Sequence, residues 1–288
     1  MGVKIQTIKD IRFYLKKELE GIYQEKEISS LASIIIKTVT GVSKLHDLYM
    51  GEGPVTDGQA GKIADICNEL KTGKPVEYIL GETLFYNCII RVTGATLIPR
   101  PETEELVNLV ISENKGRRST ILDIGTGSGC IAIALAANLP GSEVTGIDIS
   151  EDALITAQEN ALLNSVNVSF LAGDIFDFDI MSVKKSDIIV SNPPYVRDSE
   201  KTLMNKNVLD FEPHSSLFVA DNDPLKYYKA ILKVAVEILK KGGRIYFEIN
   251  EAMGRSMVHL LEMEGYSEIE IIPDINCKER IIKGTKNG

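Results

Sequence analysis

Residues 120–138 read TILDIGTGSGCIAIALAAN and join an apolar run, a glycine-rich turn and a second apolar run. The first run, residues 120–124, is short and predicts a buried strand, whereas residues 131–138 predict a helix. The glycines between them follow the spacing GxGxG. Glycine lets a backbone turn tightly and approach a ligand without a Cβ in the way. A strand, a glycine turn and a helix in this order are typical of an α/β fold.

Strand and helix patterns continue to alternate after this first unit. Further strands are predicted at residues 144–148, 168–171, 187–190, 244–249, 269–272 and 280–282, and further helices at residues 151–163, 224–239 and 253–264. Such alternation predicts a mostly parallel sheet with helices on both faces. The predicted fold class is therefore α/β, with a Rossmann-like arrangement.

The first eighty or so residues show a helical pattern instead. One apolar stripe recurs at spacings of three and four, which predicts an amphipathic helix: Ile8, Ile11, Leu15 and Leu19. Two more helices are predicted at residues 29–39 and 57–72, and residues 86–92 are strand-like. We therefore predict a helical domain over residues 1–82, a β-hairpin linker over 83–96 and an α/β domain over 97–288.

Composition bounds the class of protein. The chain has 288 residues, of which 44% are hydrophobic and 25% charged, as expected for a globular protein. Residues 1–4 (MGVK) lack a signal-peptide stretch, and the longest apolar run, residues 131–139, is too short to span a bilayer. We expect a soluble, cytoplasmic protein. Scattered thiols and imidazoles predict neither a metal site nor a disulfide framework: Cys67, Cys88, Cys130, Cys277, His46, His214 and His259.

The charge is unevenly distributed. Residues 1–100 hold 13 Lys/Arg and 12 Asp/Glu, whereas residues 101–288 hold 19 and 29, a balance of −10. Proteins that bind nucleic acids usually present a basic face, because neutralisation of phosphates supplies most of the affinity. The acidic second part disfavours DNA or RNA as the principal substrate.

An acidic residue, Asp148, ends the second predicted strand of the α/β domain, 19 residues after Gly129. A carboxylate there can accept hydrogen bonds from both hydroxyls of a ribose in the crevice beyond the strand ends. Dinucleotide enzymes prefer GxGxxG, because the pyrophosphate must sit on the helix N-terminus. The spacing GxGxG favours a nucleoside without a pyrophosphate, such as S-adenosyl-L-methionine. The alternative is a glycine turn in an unrelated α/β protein.

Asp174 follows the third strand, where its side chain could accept a hydrogen bond from an adenine amino group with Ile175 beside the ring. A solvated turn aspartate is the alternative. The predicted cofactor-binding residues are Asp123, Gly125, Thr126, Gly127, Ser128, Gly129, Asp148, Asp174, Ile175 and Asn192.

The motif SNPPY, residues 191–195, directly follows an apolar strand. A double proline cannot continue a strand, so the chain must turn out at the carboxyl end of the sheet. The Asn192 side chain and the Pro193 main chain each offer a carbonyl, and together they can accept both hydrogens of a planar NH₂ group. Tyr195 is predicted to supply an aromatic wall, and Pro194 completes the set. The alternative is a turn that merely ends the strand.

In their order along the chain, these motifs resemble the class I methyltransferases of the NPPY subgroup. More closely, the sequence resembles the bacterial release-factor glutamine methyltransferases, the HemK-like family, over nearly the whole chain. The segments that carry this resemblance besides the glycine and NPPY motifs are PVEYILG at 75–81, Phe85, LIPRPETE at 97–104, FEP at 211–213 and the region of Leu225 and Tyr228.

The resemblance implies a seven-stranded class I methyltransferase sheet and a helical domain that recognises the substrate. It implies that S-adenosyl-L-methionine methylates the glutamine side chain of the Gly-Gly-Gln loop of class I peptide release factors at N5. Asn192 and Pro193 would hold that amide, with Phe85 and Arg100 as further substrate-binding residues. Arg100 could orient the substrate backbone or the cofactor carboxylate. Equally, residues 101–105 make a good helix start, with acids such as Glu102 at its positive end.

Three other functions are compatible with parts of this pattern. In an adenine N6-methyltransferase, the adenine substrate presents the same planar NH₂ group to an NPPY site. Such an enzyme would need a basic groove and base flipping. Glutamine methylation of ribosomal protein L3 is a related alternative, and a non-catalytic cofactor-binding module is a third. The chain also departs from the family at residues 221–225 (DNDPL) and 249–253 (INEAM).

Overall fold

The structure is a computed structural model that describes residues 4–42, 44 and 51–288. The chain divides into two compact units, Met1–Gly81 with Lys206–Phe211, and Glu82–Asn205 with Glu212–Gly288. Residues 1–3 and His46, which entered the sequence analysis, lie outside the described residues.

The first unit is helical. Its helices in the described residues are α1 (Ile8–Leu19), α2 (Glu25–Thr40), α3 (Asp57–Leu70), α4 (Val76–Leu80) and, from later in the chain, α8 (Lys206–Phe211). Capping boxes begin α1 and α3: Thr7 pairs with Asp10, and Thr56 pairs with Gln59. The predicted apolar stripe of α1 is buried in full and forms the centre of the unit's core.

Helix α2 begins four residues earlier than the sequence pattern predicts. Its first turn, Glu25–Glu27, is charged and therefore carries no apolar periodicity. Acidic side chains are nevertheless favourable there, because the N-terminus of a helix carries a partial positive charge. The apolar pattern alone thus places the start of this helix too late.

A β-hairpin opens the second unit. Strands β1 (Glu82–Phe85) and β2 (Cys88–Arg91) pair antiparallel, with Phe85 opposite Cys88. Tyr86 and Asn87 form the turn with φ angles of 46° and 64°. The strand predicted at residues 86–92 is therefore corrected at its start, because Tyr86 belongs to the turn. The hairpin groups with the α/β unit.

A seven-stranded sheet forms the centre of the second unit, in the order β10-β11-β9-β6-β3-β4-β5. Its strands are β3 (Thr120–Ile124), β4 (Glu143–Asp148), β5 (Ser169–Ala172), β6 (Ser186–Ser191), β9 (Leu239–Glu248), β10 (Tyr266–Pro273) and β11 (Glu279–Lys286). The five strands from β9 to β5 are parallel. Strand β11 runs antiparallel to both β9 and β10, so β10 has the same direction as the five and β11 alone is reversed in this sheet. The predicted mostly parallel sheet is confirmed.

The remaining elements connect these strands. The helices are α5 (Pro101–Asn114), α6 (Cys130–Asn138), α7 (Glu151–Leu163), α9 (Lys226–Ile238) and α10 (Gly254–Met263). A short parallel pair, β7 (Val196–Arg197) and β8 (Phe218–Val219), lies outside the large sheet. Pro101 occupies the first turn of α5, as the sequence predicts, and Arg100 is its N-cap residue.

Packing against the sheet is extensive, which makes the strand ends a rigid frame. Tyr228 of α9 and Phe247 of β9 are fully buried, with ring centroids 5.2 Å apart in an edge-to-face arrangement. The Tyr228 hydroxyl also donates to the main-chain oxygen of Glu248 at 2.9 Å. This contact fixes the carboxyl end of β9.

We expect Ile35→Ala to destabilise the helical unit by about 2–5 kcal/mol, because the Ile35 side chain is fully buried and its loss leaves a cavity. The neighbouring Ile34 on the same helix is 42% exposed, so Ile34→Ala should cost no more than about 1 kcal/mol. Chemical denaturation of the full chain, followed by circular dichroism, would measure both. Equal losses would contradict the assigned core.

Candidate active site

A cleft of about 570 Å³ lies in the α/β unit, at the carboxyl ends of its central strands. Residues that follow β3, β4, β5 and β6 all line it, because the ends of parallel strands meet at one edge of a sheet. The cleft brings together eleven of the predicted site residues: Arg100, Gly125, Thr126, Gly127, Ser128, Asp148, Asp174, Ile175, Asn192, Pro193 and Pro194. Gly129, Asp123, Phe85 and Tyr195 do not line it.

The glycine turn owes its path to left-handed backbone conformations. Gly125, Gly127 and Gly129 have φ angles of 73°, 55° and 78°, which side-chain-bearing residues rarely adopt. A Cβ at Gly129 would also lie 3.0 Å from the Ala157 side chain. The first two glycines therefore shape the cleft wall, and Gly129 allows helix α6 to pack closely.

Asp148 closes the glycine turn from the adjacent strand. Its carboxylate accepts hydrogen bonds from the main-chain N–H groups of Gly127 at 2.8 Å and Ser150 at 3.0 Å. An ionised carboxylate has about four lone-pair sites, so further donors can be accommodated. The two main-chain bonds hold the carboxylate in one orientation at the cleft wall.

Asp123 lies behind this wall and is fully buried. The Thr126 hydroxyl donates to its Oδ2 at 2.6 Å, while Oδ1 has no hydrogen-bond partner among the described residues. Burial raises the pKa of Asp123 to about 7, against the effect of the Thr126 bond, and the charge of Asp148 raises it further. Asp123 thus supports the glycine turn from beneath and does not itself form the cleft surface.

The turn after β5 contributes the far end of the cleft. Asp174 accepts a hydrogen bond from the main chain of Phe176 at 2.9 Å, and Ile175 lies between them on the cleft wall. The rings of Phe176 and Tyr227 lie 5.4 Å apart, and both line the cleft. Sequence reasoning missed these two rings, although Phe176 stands only two residues after Asp174.

The turn after β6 carries Asn192, Pro193 and Pro194. Ser191 anchors it, because its hydroxyl donates to the main-chain oxygen of Ile124 on β3 at 2.6 Å. The Asn192 side-chain nitrogen Nδ2 donates to the Thr103 hydroxyl at 3.2 Å. No described residue donates to Asn192 Oδ1. The turn therefore offers the Asn192 side-chain carbonyl to a ligand.

Two predicted substrate residues lie elsewhere. Tyr195 packs against the sheet core, its hydroxyl donates to Glu248 Oε1 at 2.8 Å, and it does not line the cleft. Phe85 is 1% exposed, so it cannot contact a ligand in this conformation and serves in packing. Tyr195 was assigned from residue type and motif position, and Phe85 from the family resemblance, and neither reveals the direction of a side chain.

A buried carboxyl at the end of β9, Glu248, was missed by sequence reasoning. Its side chain is 1% exposed and accepts hydrogen bonds from Thr103 and Tyr195. Burial raises the pKa of Glu248, while these two bonds and the positive charge of Arg280 oppose that shift. The signal in the sequence was an acidic residue within the otherwise apolar run YFEI at 246–249.

Arg100 lines the cleft and pairs with Glu212 at 2.5 Å. The Glu212 carboxylate is almost fully buried, and its Oε2 has no hydrogen-bond partner in the part of the chain that the structure describes. The side chain of Arg100 thus faces the cleft while its main chain begins helix α5. The two interpretations of Arg100 as a ligand-facing residue and as part of a helix start are compatible.

The two segments that depart from the family pattern have local structural roles. Asp221 accepts hydrogen bonds from the main chain and the hydroxyl of Ser199. Asn250 donates to the main-chain oxygen of Tyr195 at 3.3 Å and to Glu200 at 3.0 Å. Neither residue lines the cleft.

The described residues contain no group of three or more His, Cys, Asp or Glu side chains arranged to hold a metal ion. None of their helices combines the length and apolar character needed to cross a bilayer.

Cys130 lines the cleft, where burial raises the pKa of its thiol to about 12.

Comparisons with known proteins agree with this architecture. A family described as a methyltransferase domain matches residues 115–264. A solved methyltransferase from Pyrococcus furiosus superposes with a TM-score of 0.50, covering 81% of this chain and 100% of its own, at 15% identity. At that identity the likeness shows the fold alone, which is that of the class I methyltransferases.

Closer relatives share nearly the full length of the chain. The release factor glutamine methyltransferase of Bacteroides thetaiotaomicron is 43% identical over 277 residues, 96% of this chain and 99% of its own. That of Flavobacterium psychrophilum is 44% identical over 280 residues, 96% of this chain and 98% of its own. On this identity and coverage, the chain is a member of the release factor glutamine methyltransferase family and is an enzyme.

Proposed function

We propose that this enzyme transfers a methyl group from S-adenosyl-L-methionine to the side-chain amide nitrogen of the glutamine in the Gly-Gly-Gln loop of class I peptide release factors. The observation that carries the proposal is that one cleft is lined both by the glycine turn with Asp148 and by the Asn192-Pro193 turn. A nucleoside site and an amide site therefore adjoin. The names of the full-length relatives support the substrate.

The residues present fit the proposed cofactor. Asp148 is oriented by two main-chain donors and retains lone pairs for ribose hydroxyls. Gly125 and Gly127 have no neighbouring atom within 4 Å of where a Cβ would stand, so the turn is open to a ligand. Ile175 and Phe176 offer apolar surface for a base, and Asp174 offers a carboxylate beside it. When bound, the cofactor supplies a methyl group on a positively charged sulfonium.

The Asn192-Pro193 turn supplies what a poor nucleophile needs. A glutamine amide nitrogen reacts slowly because its lone pair is delocalised, so it must be held in line with the methyl group. Asn192 Oδ1 and the Pro193 main-chain oxygen accept hydrogen bonds from the two N–H groups of the substrate amide. The proline ring restricts the backbone and keeps the Pro193 carbonyl rigid. As the new N–C bond forms and the S–C bond breaks, positive charge grows on nitrogen and both hydrogen bonds strengthen. The extra proton then leaves to solvent without a dedicated base.

The helical unit is proposed to recognise the release factor. This role rests on the family resemblance, which extends through residues 75–81 at the end of that unit. The acidic balance of residues 101–288 argues against a nucleic-acid substrate. The protein substrate is therefore favoured over adenine in DNA or RNA.

The proposed reaction is tested by methyl transfer from labelled S-adenosyl-L-methionine to purified, unmethylated release factor. A Gly-Gly-Ala variant of the factor, ribosomal protein L3 and an adenine-containing DNA serve as parallel substrates. We expect label on the wild-type release factor alone. Label on the L3 protein or on DNA would retain the methyltransferase and overturn the substrate.

Asp148→Ala is expected to weaken cofactor binding by at least about tenfold, because a ribose would lose its paired acceptor. Isothermal titration of S-adenosyl-L-methionine measures this directly. Asp177→Ala is a charge-matched control, since Asp177 is exposed and does not line the cleft. If both variants bind the cofactor as tightly as the wild type, Asp148 does not bind the ribose.

Asn192→Ala is expected to lower turnover by at least about 100-fold, because the substrate amide loses one of its two acceptors and its alignment. Cofactor affinity should remain nearly unchanged, since the glycine turn and Asp148 are intact. The measurement combines single-turnover methylation of the release factor with calorimetry of cofactor binding. Wild-type turnover in this variant would remove Asn192 from the mechanism.

A further inference from the structure

Three elements meet at the buried carboxylate of Glu248. Thr103, in the first turn of α5, donates its hydroxyl hydrogen to Glu248 Oε2 at 2.7 Å. Tyr195, in the turn after β6, donates its hydroxyl hydrogen to Glu248 Oε1 at 2.8 Å. Each carboxylate oxygen therefore accepts one side-chain hydrogen bond, and the Glu248 side chain is almost fully buried.

The hydrogen bond from Thr103 to Glu248 determines the direction of the hydrogen bond between Thr103 and Asn192. A hydroxyl has a single hydrogen, and that of Thr103 is engaged by Glu248. Towards Asn192 the Thr103 oxygen can then only accept, and it does so from Nδ2 at 3.2 Å. The amide nitrogen of Asn192 is held against Thr103, and its oxygen Oδ1 is left for the cleft.

We propose that Glu248, acting through Thr103, is a positioning residue that selects the orientation of the Asn192 side-chain amide. This inference rests on the proposed function, in which Oδ1 accepts an N–H of the substrate glutamine. The opposite orientation would present the NH₂ group of Asn192 to the NH₂ group of the substrate, and two donors repel. The hydrogen bonds that join Glu248, Thr103 and Asn192 thereby favour the productive orientation of the Asn192 amide before the substrate arrives.

The chemistry of the carboxylate explains why this position is acidic. An ionised carboxylate only accepts hydrogen bonds, whereas a glutamine amide both donates and accepts. Glutamine at position 248 would fill the same space, but its amide could donate to the Thr103 oxygen. The Thr103 hydroxyl could then donate to Asn192, which would reverse the direction of the hydrogen bonds between these residues. Thr103 and Glu248 are 2% and 1% exposed, so water cannot readily replace a lost partner in this chain.

Matched substitutions at Thr103 separate orientation from packing. Thr103→Val keeps the shape without the hydroxyl, and we expect kcat to fall on the order of 10- to 100-fold while KM for the release factor and cofactor affinity stay within about twofold. Thr103→Ser keeps the hydroxyl and should rescue most of the lost rate. Glu248→Gln should lower kcat in the same way as Thr103→Val.

A double-mutant cycle with Asn192 gives the decisive kinetic readout. If Thr103 acts through Asn192, Thr103→Val should cause little further loss of kcat in an Asn192→Ala background. Losses that multiply in the double variant would overturn the proposal, because they would show that Thr103 acts independently. A rise in KM with unchanged kcat would overturn it as well.

Hydrogen exchange at the Asn192 side-chain NH₂, followed by NMR of the full chain, tests the orientation without any substrate. Asn192→Ala identifies the resonance by its loss. We expect slow exchange in the wild type and clearly faster exchange in Thr103→Val, because the acceptor of Nδ2 is removed. Fast exchange in the wild type would overturn the proposal. Failure of the wild type to methylate release factor, with a protected NH₂, would instead refute the proposed substrate alone.

Discussion

Parallel pairing of β3 with both of its neighbours is the constraint on which the rest of the α/β unit depends. Ile124 at the end of β3 lies opposite Ile147 of β4 on one side and Ser191 of β6 on the other. The Ser191 hydroxyl bonds the main-chain oxygen of Ile124 across this pair. Because the three strands end together, the glycine turn, Asp148 and Asn192 emerge at a single edge and form one cleft.

Buried carboxyl groups support this cleft from behind. Asp123 holds Thr126 of the glycine turn, Glu248 holds Thr103 and Tyr195 beside the Asn192 turn, and Glu212 holds Arg100. Each is almost fully buried, and burial of a charge is costly unless hydrogen bonds compensate. Such groups restrict the polar side chains of the cleft to few arrangements, which suits a reaction that depends on alignment more than on acid–base chemistry.

The residues that sequence reasoning misplaced share a physical cause. Tyr195 was assigned to the substrate because an aromatic ring beside a motif can form a wall around a planar group, and Phe85 because of the family resemblance. The direction of a side chain depends on partners distant in sequence: the Tyr195 hydroxyl donates to Glu248, 53 residues away. Thr103 and Asn192 are likewise 89 residues apart. Local pattern cannot reveal such pairs, because no periodicity or turn residue records them.

The sequence by itself determined the order along the chain of the seven strands of the large sheet, the glycine turn and the residues at the ends of β3, β4 and β6. These follow from apolar periodicity and from the backbone freedom of glycine and proline, which act over a few neighbouring residues. Element boundaries shifted where charged first turns or turn residues carried no apolar pattern, as at Glu25 and Tyr86. The tertiary structure alone decided which side chains face the cleft and which support it. That choice depends on hydrogen bonds between distant segments, and only the folded chain brings their donors and acceptors together.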